Sequence, residues 1–191
     1  MTKISPKVFQ FKIKLCDITP MIWRRVHVLS DSTFGDLHYV IQDAMGWECS
    51  HLHEFTALNP KTEAWDRIAS SDEVAEEGMG DLISQDSVTI GSYFSLGNKK
   101  AEYTYDFGDN WEHEIILEKI LDVADGVKYP LCVDGKRACP PEDCGGVWGY
   151  YNLVKILSDP KHEEYESMLE WCGKFAPEEF DPKEVCLNSR T

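Results

Sequence analysis

Two carboxylates and an imidazole fall in one short stretch of the chain, at Asp106, Asp109 and His113. Such a set can ligate a divalent cation or work as general acid and base. The same residues suit a tight turn, in which Asp side chains accept from nearby backbone N–H groups. His113 alternates with Trp111 and Ile115, a position that equally fits a hydrogen-bonded core histidine. Further along, Glu142 and Asp143 precede Gly145-Gly146, glycines that permit close backbone approach at the start of a helix. The free N–H groups of that helix can receive an anion, or Asp143 can cap it. Cys132, Cys139 and Cys144 lie in the same Pro/Gly-rich stretch and could hold zinc with His113 as a fourth ligand. They lack Cys-x-x-Cys spacing, and small buried thiols in a compact loop explain them as well. His51 and His53 alternate as metal ligands on a strand can, and as half-exposed strand residues ordinarily do. A pocket walled by Trp111, Trp148 and Tyr150 is a further candidate.

The elements that must position these groups can be read from periodicity. Val8 to Leu15 alternates with Phe9, Phe11, Ile13 and Leu15 on one side, and Ile22 to Leu29 resumes the pattern after Thr19-Pro20, predicting an opening hairpin. Ser32 or Thr33 can cap a helix, with Asp36 three residues after Thr33 to favour its start, Leu37, Val40, Ile41, Ala44 and Met45 form its apolar stripe, and Gly46 ends it. His51 to Leu58 predicts a third strand. Residues 61–86 read as an acidic excursion with room for a short helix, and 88–96 are ambiguous. Ala101 to Asp106 and Trp111 to Ile120 predict a second hairpin around Phe107–Asn110, which places Asp106, Asp109 and His113 at one end of a sheet. Residues 126–146 read as a loop. Two helices follow, with stripes from Val147 to Leu157 and from Tyr165 to Cys172. Phe175, Phe180 and Val185 point to a tail packed back on the body.

The 191 residues carry 19 Lys+Arg against 34 Asp+Glu, for a net charge of −15. Six basic residues and one acid lie in positions 1–30, and the rest of the chain is strongly acidic. Phosphate recognition relies on clustered Lys and Arg, so nucleic acid is not an expected partner of the acidic body. Lys12, Lys14, Arg24 and Arg25 leave one basic face as the exception. Seven Cys, an odd number, suit reduced thiols in the cytoplasm. No apolar run is long enough to suggest a membrane span.

The run Tyr103-Thr104-Tyr105-Asp106-Phe107-Gly108-Asp109-Asn110-Trp111-Glu112-His113 resembles the first signature of the plasmid pRiA ORF-three-like family. Arg137-Ala138-Cys139-Pro140-Pro141-Glu142-Asp143-Cys144-Gly145-Gly146, followed by Gly149-Tyr150, resembles its second. Ile22-Trp23-Arg24-Arg25, Leu37-His38, Met45-Gly46-Trp47, His51-Leu52-His53-Glu54-Phe55 and Phe180-Asp181-Pro182 fit the same family. The resemblance spans nearly the whole chain. It implies an α+β fold with some likeness to the β-grasp arrangement, and no enzyme class with an agreed mechanism. Some relatives carry a transposon-passenger or resolvase-type label. No Arg-rich recognition helix and no recombinase Ser or Tyr with an Arg cluster accompanies it here.

The expectation is one α+β domain over residues 1–191. A hairpin-and-helix core (1–60) leads to the acidic excursion (61–86), the second hairpin and Cys/Pro/Gly loop (87–146), and the C-terminal helices and tail (147–191). The sheet should be mainly antiparallel, with a helix packed on it after the first hairpin, β-grasp-like, and a C-terminal helical pair. The leading functional reading is a non-enzymatic module that binds a partner protein or small ligand. Its groove would lie between the Asp106–His113 hairpin and the Cys132–Gly146 loop, with Asp106, Asp109, His113, Glu142 and Asp143 as contacts. The rival is a metal-dependent hydrolase in which Asp106, Asp109 and His113 hold a divalent ion and Glu142 or Asp143 acts as base. A third reading is a nucleic-acid accessory factor.

Overall fold

Residues 5–73 and 82–187 are described by the computed structural model. Among them are eight strands: β1 (Val8–Leu15), β2 (Trp23–Leu29), β3 (His53–Leu58), β4 (Trp65–Ala69), β5 (Leu82–Ser84), β6 (Lys100–Tyr105), β7 (Trp111–Leu121) and β8 (Leu131–Lys136). Three α-helices accompany them: α1 (Phe34–Met45), α2 (Gly146–Leu157) and α3 (Tyr165–Cys172). The strands form one sheet in the order β5-β4-β3-β6-β7-β1-β2-β8. Every pairing is antiparallel except β4 with β5. The protein is therefore mixed α+β with a mostly antiparallel sheet.

The register explains why the alternation was so clear. Phe11 stands opposite Val26 on β2 and Leu117 on β7, and Ile13 stands opposite Arg24 and Ile115. Their side chains line one face, where Phe55, Tyr103, Tyr105 and Trp111 join them, all with at most 1% of their surface exposed. Helix α1 covers this face. Thr33 and Asp36 form the reciprocal capping box that the sequence suggested, and Gly46 ends the helix in the left-handed region, φ 90°. Under the helix, Gln42 donates from Nε2 to the Tyr103 hydroxyl at 3.0 Å, and His38 Nδ1 lies 2.8 Å from the same oxygen. His38 stacks on His53 with ring centroids 3.6 Å apart. A polar set this deep fixes how the helix sits, because each of its groups needs its partner.

The opposite face is an ion-pair lattice. Glu114 takes Lys14 on one side and Lys100 on the other, and Arg25 is shared by Glu118 and Asp134. The Lys12 ammonium lies over the Trp23 ring, 4.6 Å from its centre. Arg24, the fourth residue of the supposed basic face, points the other way and is buried. The positive charge of the first hairpin is thus largely matched within the sheet.

Two expectations need correction. Residues 61–86 are not simply a loop, since β4 and β5 extend the sheet there. In β4 only Ile68 and Ala69 are buried, while Trp65 and Arg67 are exposed and the half-buried Asp66 accepts from the Tyr93 hydroxyl, so no full apolar alternation was available to read. The short helix expected in that excursion is represented by helical residues 71–73, and positions 74–81 lie outside the described residues. Likewise 126–146 contains β8, an edge strand whose residues are half-buried or exposed and which includes Gly135. An edge strand has one unpaired side and needs little apolar patterning. The ambiguous 88–96 segment holds a short 3-10 turn, Ile90–Ser92. The tail does pack back: Phe180 lies across the Arg24 guanidinium at 3.7 Å, and Ala138 N donates to Pro177 O.

Removing the Tyr103 hydroxyl tests the polar set beneath α1. Tyr103→Phe leaves the Gln42 amide without its buried acceptor, a loss of about 1–3 kcal/mol. Urea unfolding of the variant against the native protein should show it as a lower midpoint with an unchanged slope.

Candidate functional site

The turn between β6 and β7 is built from residues in unusual backbone conformations. Asp106 has φ 56° and Asn110 φ 54°, in the left-handed region that Asp and Asn tolerate better than most residues. Asp106 N donates to Leu52 O, and Asp106 O accepts from Asn110 N, which ties the turn to the segment entering β3. The Asp106 carboxylate is divided in its duties: Oδ1 accepts from Gly108 N at 2.9 Å, leaving Oδ2 directed elsewhere.

The loop after β8 comes to the same end of the sheet. Trp47 Nε1 donates to Pro140 O, anchoring the loop behind α1. Glu142 accepts from the Tyr105 hydroxyl and Glu48 N through Oε1, and from Ser50 Oγ through Oε2. Asp109 Oδ2 accepts from Gly145 N at 3.1 Å. Gly146, with φ 65°, passes so close that a Cβ there would meet Asp109 O at 2.5 Å. The two signature segments therefore meet along their length.

Where they meet, His51 lies between two carboxylates. Its Nε2 is 3.1 Å from Asp143 Oδ1 and 3.8 Å from Asp106 Oδ2. One ligand atom from each of the three falls within 4.8 Å of the others, the only such cluster of His, Cys, Asp or Glu among the described residues. The Nε2 atom is shielded from solvent and makes no aligned hydrogen bond. The 3.1 Å approach to Asp143 is thus a close contact rather than a linear N–H···O bond. Beside this cluster, Asp109, Asn110, Gly145, Val147, Trp148 and Tyr151 border an open groove of about 610 Å³.

The placement of the expected residues is uneven. Asp106 and Asp143 come together, although the sequence had put them in separate motifs. Asp109 serves the backbone of the facing loop, and both Glu142 oxygens are occupied by hydrogen bonds. His113 lies on the buried face instead, with Nδ1 3.2 Å from Tyr103 O and its Nε2 unpartnered. Burial in this apolar setting pushes its pKa down to about 4, so it is a neutral core imidazole near neutrality. Cys132, Cys139 and Cys144 do not converge with His113 into a ligand set. Burial pushes Cys139 and Cys144 up to about 12, as expected for inert thiols. Asp143 does not cap α2, whose N-cap is Gly145 in the left-handed region and carries no side-chain cap. Trp111 and Tyr150 are core residues while Trp148 is 87% exposed, so the three do not share a pocket. His51 and His53 diverge: His53 is buried against Gln85 and His38, whereas His51 precedes β3 and turns to the carboxylates. His51 is missing from the expected contact set, although the sequence offered it with His53 as a possible ligand pair. Its alternation with His53 was visible, but that signal pointed to a shared strand face.

The fold and this sheet end place the protein in a class: a mixed α+β protein, with eight strands among the described residues, whose two signature loops interlock at one end of the sheet. The chain matches the family described as "Plasmid pRiA4b ORF-3-like protein" over residues 7–184 and belongs to it. It is 37% identical over 170 residues to "Uncharacterized protein y4hQ" of Sinorhizobium fredii (strain NBRC 101917 / NGR234), covering 87% of this chain and 81% of that protein. It is also similar to the crystal structure of the protein of unknown function MM3350 from Methanosarcina mazei Go1. That likeness has a TM-score of 0.89 and 48% identity, and covers 96% of this chain and 99% of the other.

Two outcomes follow from the site's surroundings. Gly146→Ala forces a Cβ against Asp109 O and strains a positive φ, at a cost of about 1–3 kcal/mol, which should appear as a lower melting temperature. His113 carries the second. The unfolded chain protonates there near 6.5, the folded one only near 4. Its contribution to stability is complete above the unfolded value and is lost as pH falls toward the folded one. Between pH 7 and 4.5, His113→Leu should shrink the fall in unfolding free energy by about 2–3 kcal/mol, and urea titrations at both pH values measure it.

Proposed function

We propose that this protein is a non-enzymatic binding module that takes a partner protein or small ligand at the sheet end where the two signature loops interlock. The observation that carries the reading is the pairing of that polar cluster with an adjacent groove rimmed by Trp148. A tryptophan left 87% exposed contributes nothing to the core, and aromatic side chains of this kind dominate binding energy at interfaces. Asp106 and Asp143 supply acceptors at the cluster, His51 orients them, and Asp109 and Glu142 hold the loop in place. His113, one of the expected contacts, has no part in it because it is buried in the core.

The reading extends to the cell compartment and the fold's affinities. None of the seven Cys forms a disulfide, which supports a reducing, cytoplasmic setting. No helix among the described residues is long and apolar enough to cross a membrane. A hairpin followed by a helix across the sheet supports a β-grasp-like comparison for β1, β2 and α1.

The rival reading, a metal-dependent hydrolase, draws on the His51, Asp106 and Asp143 cluster. One pair of measurements decides. Binding partners captured from a lysate should be retained by the native protein and lost by Trp148→Ala, whose stability should stay within about 0.5 kcal/mol because the side chain is exposed. Equal capture by both would overturn the module reading. So would turnover of aryl phosphate or ester substrates in the presence of Zn²⁺ or Mn²⁺ that Asp106→Asn abolishes.

A further inference from the structure

We infer that His51, Asp106 and Asp143 form a binding site for one divalent transition-metal ion of the Zn²⁺ or Mn²⁺ type. The ion is bound through His51 Nε2, Asp106 Oδ2 and Asp143 Oδ1. The inference deepens, and rests on, the reading of this sheet end as a binding surface, by naming the first thing that surface takes.

The argument begins with distances. Metal–ligand bonds of about 2.0–2.1 Å set at tetrahedral angles require donor atoms about 3.3–3.4 Å apart. The observed separations from His51 Nε2, 3.1 Å and 3.8 Å, lie on either side of that edge. Small side-chain adjustments would equalise them. Asp143 is free to make them, being 70% exposed, whereas Asp106 is 13% exposed and fixed by its turn.

The second observation concerns His51 itself. Its Nε2 is out of contact with solvent and has no hydrogen-bond partner, a costly state for a buried polar nitrogen. A simple His–Asp ion pair would align an N–H with one carboxylate oxygen. Here the nitrogen instead lies 3.1 Å from one carboxylate and 3.8 Å from a second with no aligned hydrogen bond to either, an arrangement that a cation shared by the three would satisfy. Asp106 is prepared in the same sense: Gly108 N occupies its Oδ1, which leaves Oδ2 to face His51.

The surroundings decide which groups ligate and which only support. Glu142 is excluded as a ligand because both its oxygens already accept hydrogen bonds from Tyr105, Glu48 and Ser50. It holds the 142–146 loop against the segment that carries His51, so it positions Asp143. Asp109 does the same through Gly145 N. One imidazole with two carboxylates favours a borderline ion over Ca²⁺ or Mg²⁺, which prefer all-oxygen sites. Three protein ligands leave at least one position for water or for an oxygen donor of the module's ligand.

The test uses the purified full-length protein with any affinity tag removed. Co²⁺ serves as the optical probe for a Zn²⁺-type site, with Zn²⁺ and Mn²⁺ followed by calorimetry. The native protein should bind one equivalent, displaced by Zn²⁺ but not by millimolar Mg²⁺. His51→Ala and Asp143→Asn should each weaken binding by more than about tenfold, since loss of even a supporting group costs 10–100-fold. Asp106→Asn is the structurally mild variant, because Asn retains both the left-handed conformation and the turn hydrogen bond, and it too should lose binding. No saturable binding, or affinity unchanged in all three variants, would overturn the inference. A thiolate-to-cobalt charge-transfer band would also overturn it by putting the metal on cysteine. These outcomes concern the isolated protein, so loss of the metal site leaves the Trp148-dependent capture to be judged separately.

Discussion

A single buried guanidinium organises this protein. Arg24 projects from β2 into the core with 1% of its surface exposed and no carboxylate among its hydrogen-bond partners. Its donors go instead to backbone carbonyls: Nε to Ala44 O at the end of α1, and Nη1 to Trp23 O and Lys136 O. Phe180 from the tail covers its face. Burial lowers its pKa, yet a guanidinium stays charged across the ordinary pH range. A buried charge left without partners is strongly destabilising. Helix end, edge strand β8 and tail must therefore close around it together. The same constraint fixes where the chain leaves β8, and so where the Cys/Pro/Gly loop begins.

From that point the loop reaches the far end of the hairpin with little freedom. Trp47, just past α1, takes Pro140 O, and Glu142 is held by Tyr105, Glu48 and Ser50. Asp109 takes Gly145 N, and Gly146 has no Cβ to hold the segments apart. Motifs distant in the chain thus divide one task. Asp109, Glu142 and the glycines lock the loops, and Asp106 and Asp143 are presented to His51.

Much of the fold was legible. The Phe9, Phe11, Ile13 and Leu15 alternation reports a strand flanked on both sides and covered on one face. The Thr33 and Asp36 capping box and Gly46 bound a helix whose stripe must be buried. Both signals are local, since backbone geometry and burial of one face leave a period in the residues that make them. The strands at the two margins of the sheet left no such trace. β8 pairs with β2 alone and is half-buried or exposed along its length, and β4, between β3 and the three-residue edge strand β5, buries only Ile68 and Ala69, so neither carries a full apolar alternation. The site was half legible for a related reason. Turn residues such as Asp106 and Asp109 carry a backbone signature, and the Glu142–Gly146 run carries another. Nothing local says which of their carboxylates are spent on backbone N–H groups and which remain free.

Sequence alone determined the α+β class, the central strands, the capped helix, the hairpin turn and the family, all of which rest on short-range patterns or contiguous motifs. Tertiary structure decided the assignments of the three histidines that mattered. His113, on the apolar face of a good strand, became a neutral core residue, and His53 stacked beneath α1. His51 came to lie between Asp106 and Asp143. The physical reason is that a ligand set is a matter of distances between atoms from three separate segments. Those distances are fixed only when Arg24 and the loop contacts have brought β3, the hairpin and the post-β8 loop to one end of the sheet.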